Sequence, residues 1–243
     1  MVSLLTAAGG GRLFLVAVTG SLGCGKSRVS RWLAAQGAHL LDADQDARQV
    51  LQPGTPGWQA VVERFGTSVL QPAAHPAPID RRRLGEIVFA DAEARHALEA
   101  VVHPRIYQRQ AEQLQQWQQQ TPAGQSALVV AEVPLLFEAA IAFRFDRTIA
   151  VICGAQQWER LRQRSTMSTE VQQAVIAQQL PEEEKQRRAW HSIDNRGNWQ
   201  ETESQLIQLW EQLRQEAARS LSAVWPTAWP EHPAAVAGDE KID

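Results

Sequence analysis

Cysteine is scarce in this chain. There are two in 243 residues, Cys24 and Cys153. Neither their number nor their spacing suggests a disulfide framework or a zinc site, so both are expected unpaired, in a reducing, cytoplasmic setting. Long hydrophobic runs are missing as well. No apolar stretch approaches the roughly 20 residues that a membrane-spanning helix needs, so no membrane partner is expected. The first residues, Met1 to Gly11, hold no basic segment of the secretory kind and end in three glycines, which reads as a flexible lead-in. An excess of positive charge is also lacking. Lysine and arginine number 24 against 27 acidic residues, a formal net charge of -3. A protein built to grip nucleic acid needs the opposite balance, so nucleic acid is not an expected partner. What remains is 44% hydrophobic and 21% charged. That is the composition of a soluble globular protein, long enough for one large α/β domain or a core with an inserted lid.

Against that background one stretch stands out, Gly20-Ser21-Leu22-Gly23-Cys24-Gly25-Lys26-Ser27. An apolar segment, residues 13–19, precedes it and reads as a buried strand. A helical pattern with Val29, Trp32 and Leu33 on one face follows it. A strand, a glycine turn and a helix start make an anion cradle: the glycines let backbone N–H groups point inward, and the helix N-terminus adds partial positive charge. Lys26 can reach outer phosphates, and the Ser27 hydroxyl can ligate Mg2+. Cys24 reads first as a small residue fitting a tight loop. The alternative is a redox switch, since a helix N-terminus can lower a thiol's pKa.

The rest of the chain alternates strands with helices. Residues 38–42 read as a second strand, 128–133 as a third, 148–152 as a fourth and 192–193 as a fifth. Between and after them, helices are expected at 58–65, from Asp80, at 92–119 with a kink or restart at His103-Pro104, at 155–165, 168–180 and 182–189, and at 198–216. Residues 71–78, with three prolines, read as a loop. The glutamine-rich stretch 108–120 reads as a solvated helix face. Such alternation implies a parallel sheet, with ligands at the carboxyl ends of its strands.

Several residues at those ends fit phosphoryl transfer, which needs a phosphate cradle, Mg2+, charge stabilisation and an orienting base. Asp42 and Asp44 end strand 2, expected beside strand 1, where a carboxylate would face the terminal phosphate. Either fits a base or a metal-water ligand; equally, Asp42 fits a helix cap and Asp44 a first-turn charge. Glu132 ends strand 3, as a metal-linked carboxylate would, or as a lone polar strand end. Arg160 and Arg164 share one helical face, suited to a lid over phosphates or to plain solvation, and Arg187 and Arg188 read as surface charges. His103, before Pro104, reads as a helix-break residue whose imidazole could still meet an acceptor.

Read in order, the loop V-T-G-S-L-G-C-G-K-S is followed by L-L-D-A-D-Q-D-A-R at 40–48, D-R-R-R-L-G-E-I-V-F-A-D at 80–91, L-E-A-V-V-H-P at 98–104, E-V-P-L-L-F-E at 132–138, Q-W-E-R-L-R-Q-R at 157–164 and I-D-N at 193–195. Over about residues 13–213 this resembles the dephospho-CoA kinase family. The resemblance implies ATP-dependent phosphorylation of the ribose 3′-hydroxyl of dephospho-CoA, the last step of coenzyme A synthesis, with Mg2+. It implies an α/β P-loop kinase fold, a five-stranded parallel sheet flanked by helices, over residues 13–216. A helical substrate domain at about 55–125 and a lid at about 155–190 belong to it, with 1–12 and 217–243 as flexible tails.

The resemblance also assigns residues. Asp44 falls on the base, with Lys26 and Arg164 beside it in catalysis. Gly20, Leu22, Gly23, Cys24, Gly25, Lys26, Ser27 and Arg28 fall on the ATP side, with Asn195 near the adenine. Thr19, Arg48, His103, Leu135, Leu136 and Phe137 fall on the acceptor side. The chain departs from the family pattern at Cys24, Ser165, Val175 and Trp190. A nucleotide-dependent binding module is the other class considered; the D-x-x-G and N-K-x-D segments of guanine-specific switches are not in this sequence.

Overall fold

The computed structural model describes residues 10–72, 76–164 and 168–220. They fall into two compact units. Of the described residues, those of 10–41 and 116–220 make up one and those of 42–115 the other.

In the first unit the apolar segment ahead of the glycine loop is β1, Arg12–Thr19, buried from Leu13 onward. A strand that is apolar on both faces has to be covered on both, which suits the centre of a parallel sheet. β1 pairs in parallel with β3, Ser126–Glu132, on one side and with β4, Arg147–Ile152, on the other. β2, His39–Leu41, joins β3, and β5, His191–Asp194, joins β4, so the five-stranded order is β2-β3-β1-β4-β5. The expectation that strand 2 lies beside strand 1 is therefore corrected: β3 stands between them. Burial explains it. Leu128 to Ala131 of β3 are buried, whereas β2 is three residues long and mostly half-buried, which suits an edge.

Two helices cover this sheet's central strands. α1, Lys26–Ala35, buries Val29 and Leu33. The last helix, Trp199–Arg219, buries Leu206, Leu209, Leu213 and Ala217, and it starts with a capping box between Asn198 and Glu201. These side chains form one cluster with Phe14, Val16, Val18, Val130, Ile149 and Ile193. Each fully buried leucine or phenylalanine contributes about 1.5–3 kcal/mol. The cluster reaches past the expected end of structure at 216, since Ala217 is 3% exposed. At the other end the expected free lead-in is shortened. The Gly11 amide donates to the Thr121 carbonyl at 2.7 Å, and Arg12 pairs with Asp146 and reaches the Ser220 carbonyl. Residues 1–9 and 221–243 of the expected tails lie outside the described residues.

The second unit is helical. α2 (Ala43–Val50), α3 (Pro56–Phe65), α4 (Arg81–Ala90) and α5 (Ala92–Gln120, of which residues through Gln115 belong here) gather around Val61, Val69, Ile79 and Leu84. Their starts are written in the sequence. Asp42, Thr55 and Asp80 each accept backbone N–H bonds of the following turn, from Gln45, Trp58 and Arg82 with Arg83 respectively.

Two expectations about α5 are corrected. It does not restart at Pro104 but runs through it as one helix. Proline removes one intrahelical bond, but buried Val102 and Ile106 hold the turns on either side of it, and Arg105 donates to the Val101 carbonyl at 2.6 Å. Its glutamine-rich stretch is not wholly solvated either. Gln110 is 7% exposed and donates to Asp46, itself 3% exposed, at 3.1 Å; Gln113 and Arg109 donate to the same carboxylate.

Candidate active site

The loop after β1 is shaped by positions that only glycine fits. Gly20 has φ 147°, and a Cβ there would meet the Val151 carbonyl oxygen at 2.5 Å. Gly25 has φ 93°, and its Cβ would lie 2.4 Å from Asn195 Nδ2. No side chain caps the first turn of α1. The Asn195 carboxamide holds the loop from behind: Nδ2 donates to the Cys24 carbonyl at 2.7 Å, and Oδ1 accepts from the Thr202 hydroxyl at 3.0 Å. Arg160, expected as a possible lid donor, donates to the Asn195 carbonyl at 2.6 Å and so supports the same corner. Arg28 lies exposed with its guanidinium 3.7 Å from the Trp199 ring centre.

Lys26 is the loop's charge. Its Nζ donates to the carbonyls of Gly20, at 2.9 Å, and Ser21, at 3.0 Å. Burial lowers its pKa to about 8, the nearby Glu132 carboxylate partly counters this, and Lys185 adds to the lowering. Next to it Ser27 Oγ donates to Glu132 Oε2 at 2.9 Å. The parallel register of β1 and β3 explains this meeting: Val18 lies opposite Glu132, so the end of β3 is level with the start of the loop. A hydroxyl and a carboxylate side by side are hard oxygen donors of the kind Mg2+ takes, with water completing the shell.

Behind the loop, Cys24 and Cys153 are joined as a disulfide with Cα atoms 5.1 Å apart. The expectation of unpaired cysteines is thus corrected. Spacing along the chain carried no sign of it, because the two are 129 residues apart and meet only through the β1·β4 pairing. Glu182, the first residue of α8 (Glu182–Arg188), accepts from the amides of Cys153 at 2.7 Å and Gly154 at 2.9 Å.

The model of the dephospho-CoA kinase family matches residues 14–201. The chain belongs to that family. It is 40% identical over 200 residues to dephospho-CoA kinase of Thermobifida fusca, covering 82% of this chain and 96% of that one. The corresponding enzyme of Symbiobacterium thermophilum is 41% identical over 197 residues, covering 81% and 80%. Among solved structures, a protein from Thermus thermophilus aligns with a TM-score of 0.64 at 30% identity, over 83% of this chain and 98% of that one. Dephospho-CoA kinase from Campylobacter jejuni aligns at 0.58 and 25%, over 84% and 98%.

The residues that the dephospho-CoA kinase resemblance assigned to the acceptor differ in exposure. Thr19 and Leu136 are fully buried, and the Thr19 hydroxyl donates to the Pro134 carbonyl at 3.3 Å, so neither offers surface to a ligand. Leu135 is 42% exposed and does. In the second unit Asp42 caps α2, which is the structural alternative for that residue; Asp44 stands exposed in the first turn of the same helix, and Arg48 is exposed in its last. His103 is half-buried, its ring 6.1 Å from that of Tyr107. Arg164 ends α6 (Gln156–Arg164), and its side chain lies outside the described residues, as does Ser165. Asn195 is 6% exposed, and its side chain spans from the loop to Thr202.

Sequence reasoning missed Lys185. Its Nζ is buried between Glu138 and the Pro134 carbonyl, both at 2.7 Å. It lies in the run E-E-E-K-Q-R-R, which reads as solvated charge throughout, and nothing in that run marks one lysine as buried. Arg187 and Arg188 match the surface reading, exposed and paired with Glu184.

Proposed function

We infer that this chain transfers the terminal phosphoryl group of ATP to the ribose 3′-hydroxyl of dephospho-CoA, giving coenzyme A and ADP. The observation that carries this reading is the Ser27–Glu132 pair at 2.9 Å beside Lys26, in a chain of this family. A phosphate loop becomes a transfer site when a metal position and a charge partner for the outer phosphates adjoin it.

The roles follow from chemistry. Lys26 exchanges the Gly20 and Ser21 carbonyls for phosphate oxygens, and the amides of Leu22, Gly23, Cys24 and Gly25 line the cradle, with Arg28 at its edge. Ser27 and Glu132 would hold Mg2+, which neutralises phosphate charge when bound. Asp44 accepts the proton of the attacking hydroxyl, and Arg164 supplies positive charge from a lid formed by about 155–190. Asn195 sets the loop's shape beneath the nucleotide. The helical unit from Asp42 to Gln115, with Arg48 and His103, receives the acceptor, helped by the exposed Leu135.

The test is a coupled assay with ATP and Mg2+ over a panel of acceptors that includes dephospho-CoA, adenosine and nucleoside monophosphates, with product masses identified. Phosphorylation of dephospho-CoA is expected. Turnover of a nucleoside or its monophosphate but not of dephospho-CoA would replace this reading with another small-molecule kinase.

A further inference from the structure

We propose that Cys24 and Cys153 form a reversible thiol–disulfide couple that closes the phosphate loop when oxidised. The proposal rests on the reading of this loop as the ATP site. These are the chain's two cysteines, and one of them lies inside the loop itself; both are fully buried, so oxidant and reductant reach them through local opening. Their Cα separation of 5.1 Å lies within the range a disulfide spans.

In the disulfide-bonded form the loop's anion donors are turned onto the protein. The Leu22 amide donates to Gln179 Oε1 at 3.0 Å, the Cys24 amide to the Ser21 carbonyl at 3.2 Å, and Lys26 to Gly20 and Ser21. A triphosphate needs these same groups. To present them, residues 22–26 have to shift against the end of β4. The disulfide fixes Cys24 to Cys153, and the Cys153 amide is held by Glu182 at 2.7 Å. The bond therefore ties the loop to a strand end that is itself anchored. In the reduced form the two sulfurs separate, and the loop regains that freedom.

The chemistry balances with a peroxide as oxidant. One thiolate attacks the O–O bond, giving a sulfenic acid and water; the second thiol displaces that oxygen as water while the S–S bond forms. Two thiols lose two protons and two electrons, and one hydrogen peroxide becomes two waters. Glu182 Oε2 lies 3.4 Å from the Cys24 sulfur, within hydrogen-bond reach of a thiol there in the reduced form. A dithiol reductant returns the two electrons by exchange.

The experiment compares the full chain after hydrogen peroxide with the same sample after dithiothreitol. Intact mass should fall by about 2 Da on oxidation, the loss of two hydrogens. ATP affinity should weaken at least about tenfold, as when the competent loop drops to a tenth of the population, and dithiothreitol should restore it. Cys153→Ala, checked for folding by thermal melting, should bind ATP equally before and after peroxide. ATP binding that is the same in both redox states of the unsubstituted chain overturns the switch and leaves a structural staple. A zinc ion held one per reduced chain assigns Cys24, Cys153 and Glu182 to a metal instead. A reduced protein that binds no ATP overturns the site reading itself, and the switch with it.

Discussion

Burial of Lys26 works against its own charge. With its pKa lowered to about 8 from 10.5, the ammonium is held in the loop by two carbonyls and by Glu132 nearby. An incoming triphosphate reverses the balance, because an opposite charge favours the protonated form. ATP binding should therefore take up a proton above pH 8, and affinity should fall about tenfold per pH unit between roughly 8 and 10. Calorimetry in two buffers of different ionisation enthalpy reads the proton directly; a flat affinity across that window would contradict the assignment. Asp44 makes the opposite kind of claim. As the proposed base, it would matter to the transition state more than to nucleotide binding, so Asp44→Asn should lower kcat by about a hundredfold or more while ATP affinity stays within about twofold. Near-normal kcat removes Asp44 as base. At this scale the sequence made the loop legible, because glycine at Gly20 and Gly25 is forced by backbone and by close neighbours. Residue chemistry alone left Asp42 and Asp44 undivided; the family resemblance pointed to Asp44, and the Gln45 amide is seen bonded to Asp42. Lys185 stayed hidden, since burial of one charge in a charged run comes from partners far along the chain.

Among the elements, α8 shows how a short, highly charged helix is fixed in place. Lys185 reaches Glu138, and the same carboxylate accepts from the Leu180 amide at 2.7 Å, just before α8 begins. Burial opposes the Glu138 charge, yet the Lys185 ammonium and the Leu180 amide keep its pKa below the ordinary value. The stabilisation is thus present above the ordinary carboxylate pKa and is lost as pH falls through the lowered one. Lys185→Ala leaves the carboxylate without its ion partner and should cost about 3 kcal/mol in urea unfolding, with a flattened acid limb. Lys185→Met with Glu138→Gln should recover most of that loss; a double variant no better than the single would show that the ion pair is not the source. Helix starts were readable here because caps are local: Asp80 does what its position suggested. Helix interiors were less so. Pro104 looked like a break, but neighbouring buried turns outweigh one missing bond, and the glutamines of α5 looked solvated because their acceptor, Asp46, sits 64 positions from Gln110.

For the molecule as a whole, strand and helix alternation announced a parallel sheet, while strand order came from burial that only the assembled sheet displays. The Cys24–Cys153 pair is the same lesson in covalent form: two strand ends that are neighbours in space and distant in sequence. The two units each carry their own apolar cluster, one around Val16, Ile149 and Leu209, the other around Val61, Ile79 and Leu84. Separate clusters allow each unit to open and close with its own free energy, so ligands that bind different units should slow different amides. In hydrogen exchange, a non-hydrolysable ATP analogue with Mg2+ should protect the loop, α6 and the helix Thr169–Ala177. Coenzyme A, the product, should protect α2 and the His103 region of α5. At a hundred times its Kd each ligand stabilises the state it binds by about 2.7 kcal/mol, enough to slow exchange through that state's opening roughly a hundredfold. If coenzyme A protects only the loop and α6, the helical unit is not the acceptor site. If the ATP analogue leaves Thr169–Ala177 unchanged, that helix is not part of a lid, and Arg164 loses its place over the phosphates.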